Sequence, residues 1–248
     1  EDIAVNANVK ATGSGKLTVK LNAQGDVTIG SGSAQNIEIV TKGGDFKVTG
    51  GQDDGIAIGE TFGVGAGSFT SHSTSTINTT GGDDIAGGDV EISSAVRNPG
   101  GGNTTGNIII GGDITTSGGT VTSSGVGKAG GAVSIEARNA GTLTISTGAD
   151  ITTTGSAAHT SGAGGAGGNV TLNTAATTLT LNDTLISTAG AAGAGGGAVG
   201  NGGNIVISDP LSIATNTVTF NTGTGSTAGD ITTSTIDGAT GISLTYGG

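Results

Sequence analysis

The chain has 248 residues, 19 of them acidic and eight basic, for a formal net charge of −11. That balance excludes nucleic-acid binding, which needs clustered Lys and Arg to neutralise phosphates, and no apolar run approaches the roughly 20 residues of a membrane-spanning helix. Cys is absent, which fits an oxidising, extracellular setting in which a long backbone ladder replaces disulfides.

The sequence opens on Glu1 without a signal peptide and reads as a processed form or an excised piece. Ile3-Ala4-Val5, Leu17-Thr18-Val19-Lys20-Leu21, Val27-Thr28-Ile29, Ile37-Glu38-Ile39 and Val90-Glu91-Ile92 alternate apolar and polar residues, as half-buried strands do. This patterning overrides a Gly content of 53 residues that borders on disordered compositions. No window carries a helical apolar stripe, and Gly with the β-branched residues opposes helix on propensity. Four Phe, one Tyr and no Trp would leave a sandwich core hard to fill, whereas a narrow solenoid needs only stacked Ile, Val, Leu and Ala. One elongated domain over residues 1–248 is the expectation. Turns over 1–105 are less regular: Gly51-Gln52-Asp53-Asp54-Gly55 and Gly81-Gly82-Asp83-Asp84 break the rhythm, and Asn98-Pro99-Gly100 reads as a turn.

From residue 106 to 248 the turns are regular and about 35 residues long, with one plan recurring at 106–116, 141–153 and 178–188. Each copy runs into a Gly/Ala/Ser stretch that closes on Gly-Gly-x and an alternating strand: Gly130-Gly131-Ala132, Gly167-Gly168-Asn169, Gly202-Gly203-Asn204. The second glycine or its equivalent falls at Gly44, Gly88, Gly131, Gly168, Gly203 and Gly229, at intervals of 44, 43, 37, 35 and 26 residues. A drifting period means that strands are kept while one loop varies. The expected fold is therefore all-β, a right-handed parallel β-helix (β-solenoid) with Gly-rich loops protruding from successive turns.

In the representative turn 141–177, Leu143 and Ile145, Ile151, and Val170 with Leu172 point inward from three short strands. The next turn places Leu179 and Leu181 over Leu143 and Ile145, Leu185 near Ile151, and Ile205 and Ile207 over Val170 and Leu172. Val218 and Phe220 open another turn, and Ile242 and Leu244 the last. The loops at 118–131, 155–168 and 190–203 have two readings. They are flexible surface loops, or they stack into an ordered side layer in which glycine allows close backbone approach. Lys128 and His159 lie in them and are expected in solvent.

Gly-Gly-Asp-Ile-Thr-Thr (111–116), Gly-Gly-Asn-Val-Thr-Leu (167–172) and Gly-Asp-Ile-Thr-Thr (229–233) resemble the repeats of filamentous-haemagglutinin-type exoproteins, large secreted bacterial proteins, many exported by two-partner secretion. The resemblance runs from Gly25 onward. It implies a right-handed β-helix at the bacterial cell surface or in the matrix, acting as adhesin, stalk or fibre. The N-terminal secretion domain of that family is not evident in this chain.

The sequence holds two Arg, Arg97 and Arg138, and two His, His72 and His159, none beside an acidic pair at coil spacing. No Ser/His/Asp arrangement, phosphate loop or zinc spacing is present, so the expectation is no enzyme and no cofactor. The doublets Asp53-Asp54 and Asp83-Asp84 are either solvated turn residues or Ca²⁺ ligands; the calcium-binding nonapeptide does not occur in tandem. Thr142, Thr144, Thr178, Thr180, Thr217 and Thr219 are expected as two outward ranks on one flat face, an array that suits ice or a glycan. Threonine is also the residue that ordinary exposed strand positions favour. Both termini lie in strand rhythm without a capping helix, so the solenoid either continues in a longer protein or stacks end to end on copies of itself. The functional expectation is a secreted structural fibre or stalk for adhesion or matrix building, with a carbohydrate- or ice-binding module as the alternative.

Overall fold

The computed structural model describes residues 2–23, 25–31, 35–50, 67–94, 105–123, 125–175, 179–215, 217–224, 227–238 and 241–245. These residues form 23 strands and no helix. The first turn comprises β1 (Ile3–Val5), β2 (Val9–Lys10) and β3 (Val19–Ala23). The second comprises β4 (Val27–Ile29), β5 (Glu38–Val40) and β6 (Phe46–Gly50), and the third β7 (Phe69–Ser71), β8 (Thr76–Asn78) and β9 (Val90–Ser94). The fourth holds β10 (Ile108–Ile110), β11 (Ile114–Thr115) and β12 (Val133–Ala137), the fifth β13 (Leu143–Ile145), β14 (Ile151–Thr152) and β15 (Val170–Thr174). The sixth has β16 (Leu179–Asn182), β17 (Leu185–Ser187) and β18 (Ile205–Ile207), the seventh β19 (Leu211–Thr215), β20 (Thr217–Asn221) and β21 (Ile231–Thr233). Two strands of an eighth follow, β22 (Ile236–Asp237) and β23 (Gly241–Thr245).

Every third strand pairs in parallel with its counterpart in the next turn, giving sheets of eight, eight and seven strands. The chain is a parallel β-helix, with turns one interstrand spacing apart, about 4.7–4.9 Å. The turns before residue 105 carry the same three strands as those after it. The core is a set of files. Val27, Phe69, Ile108, Leu143 and Leu211 stack in the first sheet, Ile39, Ile77, Ile114, Ile151 and Ile186 in the second, and Phe46, Val90, Val133, Val170 and Ile205 in the third, all buried. Each added turn buries its apolar side chains against the last, at roughly 25 cal/mol per Å².

Two expectations are corrected. Ile186, not Leu185, stacks on Ile151, because the corner between the first two strands differs in length from turn to turn: inward residues run from Ile110 to Ile114, Ile145 to Ile151 and Leu181 to Ile186. Asp183, in the left-handed region at φ 46°, sits in that last corner and resets the alternation. The seventh turn opens at Leu211–Thr215, and Val218 and Phe220 belong to its second strand, β20. Those two strands follow each other without a glycine corner, so the sequence offers no punctuation between them. Ile242 likewise lies on the second strand of its turn, stacked on Val218.

Candidate functional site

The Gly-Gly-x motif closes a bracket. At the end of the second-sheet strand in five successive turns a fully buried Thr donates its hydroxyl to the carbonyl of the second glycine: Thr41 to Gly44, Thr79 to Gly88, Thr116 to Gly131, Thr153 to Gly168 and Thr188 to Gly203, at 2.5–2.6 Å. The glycine N–H returns to the threonine carbonyl, at 2.7 Å for Gly131, Gly168 and Gly203. Between the two arms lie sequence separations of 3, 9, 15, 15 and 15 residues. The bracket is constant and the loop it closes is not, but the drift of the period comes mostly from the chain outside the bracket, which shortens from 35 residues between Gly44 and Thr79 to 20 between Gly168 and Thr188. These threonines are legible in the sequence as inward residues. In Asp113-Ile114-Thr115-Thr116 the inward Ile114 is followed by an outward and then an inward position.

Glycine is obligatory at the bracket because the corners stack backbone on backbone. A Cβ on Gly168 would stand 2.0 Å from the Gly131 carbonyl oxygen, and one on Gly203 would stand 2.1 Å from that of Gly168. The x residue makes a second ladder along the rod. The side-chain oxygen of Asp45 accepts the N–H of Asp89, Asp89 that of Ala132, Asn169 that of Asn204 and Asn204 that of Asp230. A similar ladder enters the first sheet, from Asp2 through Asp26, Ser68 and Asn107 to Thr142. Both run one way, from side chain in one turn to N–H in the next.

The Gly-rich loops form an ordered layer beside the rod, so the flexible-loop reading is set aside. Gly118, Gly127 and Gly130 donate N–H groups to Thr154, Ala163 and Ala166 of the following loop, and Gly155, Gly164 and Gly167 donate to Ala189, Ala198 and Asn201 of the loop after that. The layer begins on the shorter loop after Thr79, where Gly81 and Asp84 donate to Ser117 and Thr120. His159 is exposed as expected, whereas Lys128 is half-buried, with its backbone held by Ser156.

The six candidate threonines do not form one face. Thr144 and Thr180 are partners in the first sheet. Their outward file continues through Thr70 and Thr28, but Ile109 stands between Thr70 and Thr144. Thr142 is exposed and tied to Asn107. Thr217 and Thr219 lie on β20 in the second sheet, opposite Gly241 and Ser243. Thr178 lies outside the described residues. Thr217 and Thr219 instead line an open polar groove of about 330 Å³ with Gly148, Asp150, Asp183 and Thr184.

Of the acidic doublets, Asp53-Asp54 lies outside the described residues, as does Arg97. Asp83 is exposed; Asp84 is engaged with the next turn. The Thr122 hydroxyl donates to the Asp84 carboxylate at 2.6 Å. That bond, with smaller help from the Thr122 N–H, the Lys128 charge and the Ser123 hydroxyl, holds the Asp84 carboxyl below its ordinary range against the opposing effect of burial. Among the described residues no three His, Cys, Asp or Glu side chains gather as a metal site would require. His72 Nδ1 lies 3.0 Å from the Thr74 hydroxyl, and Arg138 pairs with Glu136 at 2.5 Å.

Comparison with family models, with curated proteins and with solved structures finds no match to this chain.

Proposed function

We propose that this chain is a structural module of a secreted bacterial rod, a fibre or stalk extended end to end for adhesion or matrix building. The carrying observation is the state of the last turn. Ile236 and Ile242 occupy the inward files over the buried Leu211 and Val218, yet they are 41% and 37% exposed. A coil edge of this kind accepts a further parallel turn, whether from a second copy or from a longer chain of the same design. The one-way side-chain ladders favour head-to-tail addition, and the repeats' resemblance to filamentous-haemagglutinin-type exoproteins supports a surface location. Electron microscopy of the purified chain is expected to show filaments much longer than one subunit, and Ile236→Lys is expected to abolish them. Short single rods from the unaltered chain would refute end-to-end growth. Imaging with and without a chelator tests a metal requirement in the same preparation.

The second reading, a carbohydrate-binding module, draws on the groove holding Asp150, Asp183, Thr217 and Thr219. A glycan that binds this chain and is lost on Thr219→Lys, with filaments intact, would favour it. Ice binding needs a flat regular array, and the division of Thr144 and Thr180 from Thr217 and Thr219 between two sheets works against it.

A further inference from the structure

The loop layer has one unfinished face. At corresponding places in the three long loops, the N–H groups of Gly118 and Gly127, then of Gly155 and Gly164, are taken up by the following loop. The third loop repeats the pattern with Gly190 and Val199, and the next bracket, in the seventh turn, spans only six residues between Thr222 and Gly229 where each long loop spans 14. Among the described residues neither N–H has a partner; only Gly202, at the base, is met, by the Thr227 carbonyl. The step left by the short loop is a groove of about 330 Å³, walled by Gly190, Val199 and Gly200 on one side and Thr222, Gly223 and Thr227 on the other. Thr222 is the sixth bracket threonine. Its hydroxyl is fully buried and, among the described residues, has no partner, and its carbonyl receives the Gly229 N–H at a looser 3.3 Å. Val199, at the lip, is 51% exposed.

We infer that this face is a self-association surface, occupied by the same face of a second copy. What sits on such a face is already seen twice within the chain: another Gly-rich loop, bound through its backbone. Charge points the same way. A molecule of net charge −11 repels its copies over most of its surface, yet the stretches 117–130, 154–167 and 189–202 contain no acidic residue. The rod continues past the layer at both ends, so a second layer cannot be added coaxially and the partner approaches from the side. A two-fold axis then sets the two loop edges antiparallel, each N–H opposite a carbonyl and Val199 against its counterpart.

Sedimentation equilibrium of residues 1–248 tests this, with circular dichroism confirming that each variant keeps its strands. The expected result, in an Ile236→Lys background whose blocked coil end prevents end-to-end growth, is a dimer, a halving of mass when Val199→Asp is added, and no change when Val126→Asp is added in the first of the three long loops, where that valine is 55% exposed. Because the dimer is read where filaments cannot form, failure of end-to-end growth and failure of this pairing are distinguished. A monomeric Ile236→Lys chain, a dimer that survives Val199→Asp, or equal dissociation by Val126→Asp would each overturn the inference.

Discussion

Thr144 and Thr153 lie in the same turn and differ only in parity. Thr144 faces out beside Thr180, and replacing it with Val is expected to change stability by no more than about 0.5 kcal/mol. Thr153 is fully buried and holds the Gly168 carbonyl, so Thr153→Val keeps the shape and leaves that oxygen unmet, at a cost of about 1–3 kcal/mol. Chemical denaturation of the two variants measures the difference directly. Glycines divide in the same manner. Gly148 has φ +74° and open space around it, so Gly148→Ala carries only left-handed backbone strain of about 1–2 kcal/mol. Gly168 has ordinary φ and no space, and Gly168→Ala, driven into the preceding turn's carbonyl, is expected to cost about 3 kcal/mol or more.

At the level of strands and loops, what the sequence makes legible is whatever side-chain alternation records. Leu143, Ile145, Ile151, Val170 and Leu172 fall where expected because period-two alternation carries straight through a strand. It does not carry through a corner, and Leu185 departs from its expected place for that reason. The stacking of the loops is invisible to such a pattern because backbone-to-backbone bonds leave no side-chain trace; a run of Gly and Ala reads alike whether it is layered or free. The bracket threonines, by contrast, are written in the parity of Ile-Thr-Thr, where the outward threonines are the more conspicuous functional signal. Asp84 joins two loops in this layer. Its carboxyl titrates lower folded than unfolded, so its contribution is present at neutral pH and is lost as pH falls below about 4. Amide exchange in 120–123 is expected to stay slow from pH 7 down to pH 5, allowing for the intrinsic rate, and to quicken only in stronger acid; an Asp84→Asn variant should exchange faster already at pH 7.

Over the whole molecule, stability is a sum of turns and of the interfaces between neighbouring turns. Ile3, Val5, Val9, Val19, Leu21 and Ile231, in the outer turns, are only partly buried, while core residues of the fourth to sixth turns are fully enclosed. Hydrogen exchange should therefore be slowest at Ile110, Ile145 and Leu181 and fall away toward both ends. Equal protection along the rod would instead mean one all-or-none unit. A filament would alter that profile by protecting the end turns, and a lateral dimer would protect 189–202 alone.

The bracket gives this architecture a setting that can be changed without redesigning the coil. Loop closure grows only slowly more costly with length, by about 0.6 kcal/mol per doubling, and the Thr–Gly clamp fixes both loop ends wherever the chain goes between them. Inserting a few Gly and Ala residues between Thr222 and Gly229 would carry the seventh loop over the edge that the sixth leaves bare. Sociability in this protein would thus be governed by the length of one loop: short, and the molecule offers a surface to its neighbours; long, and it covers that surface itself.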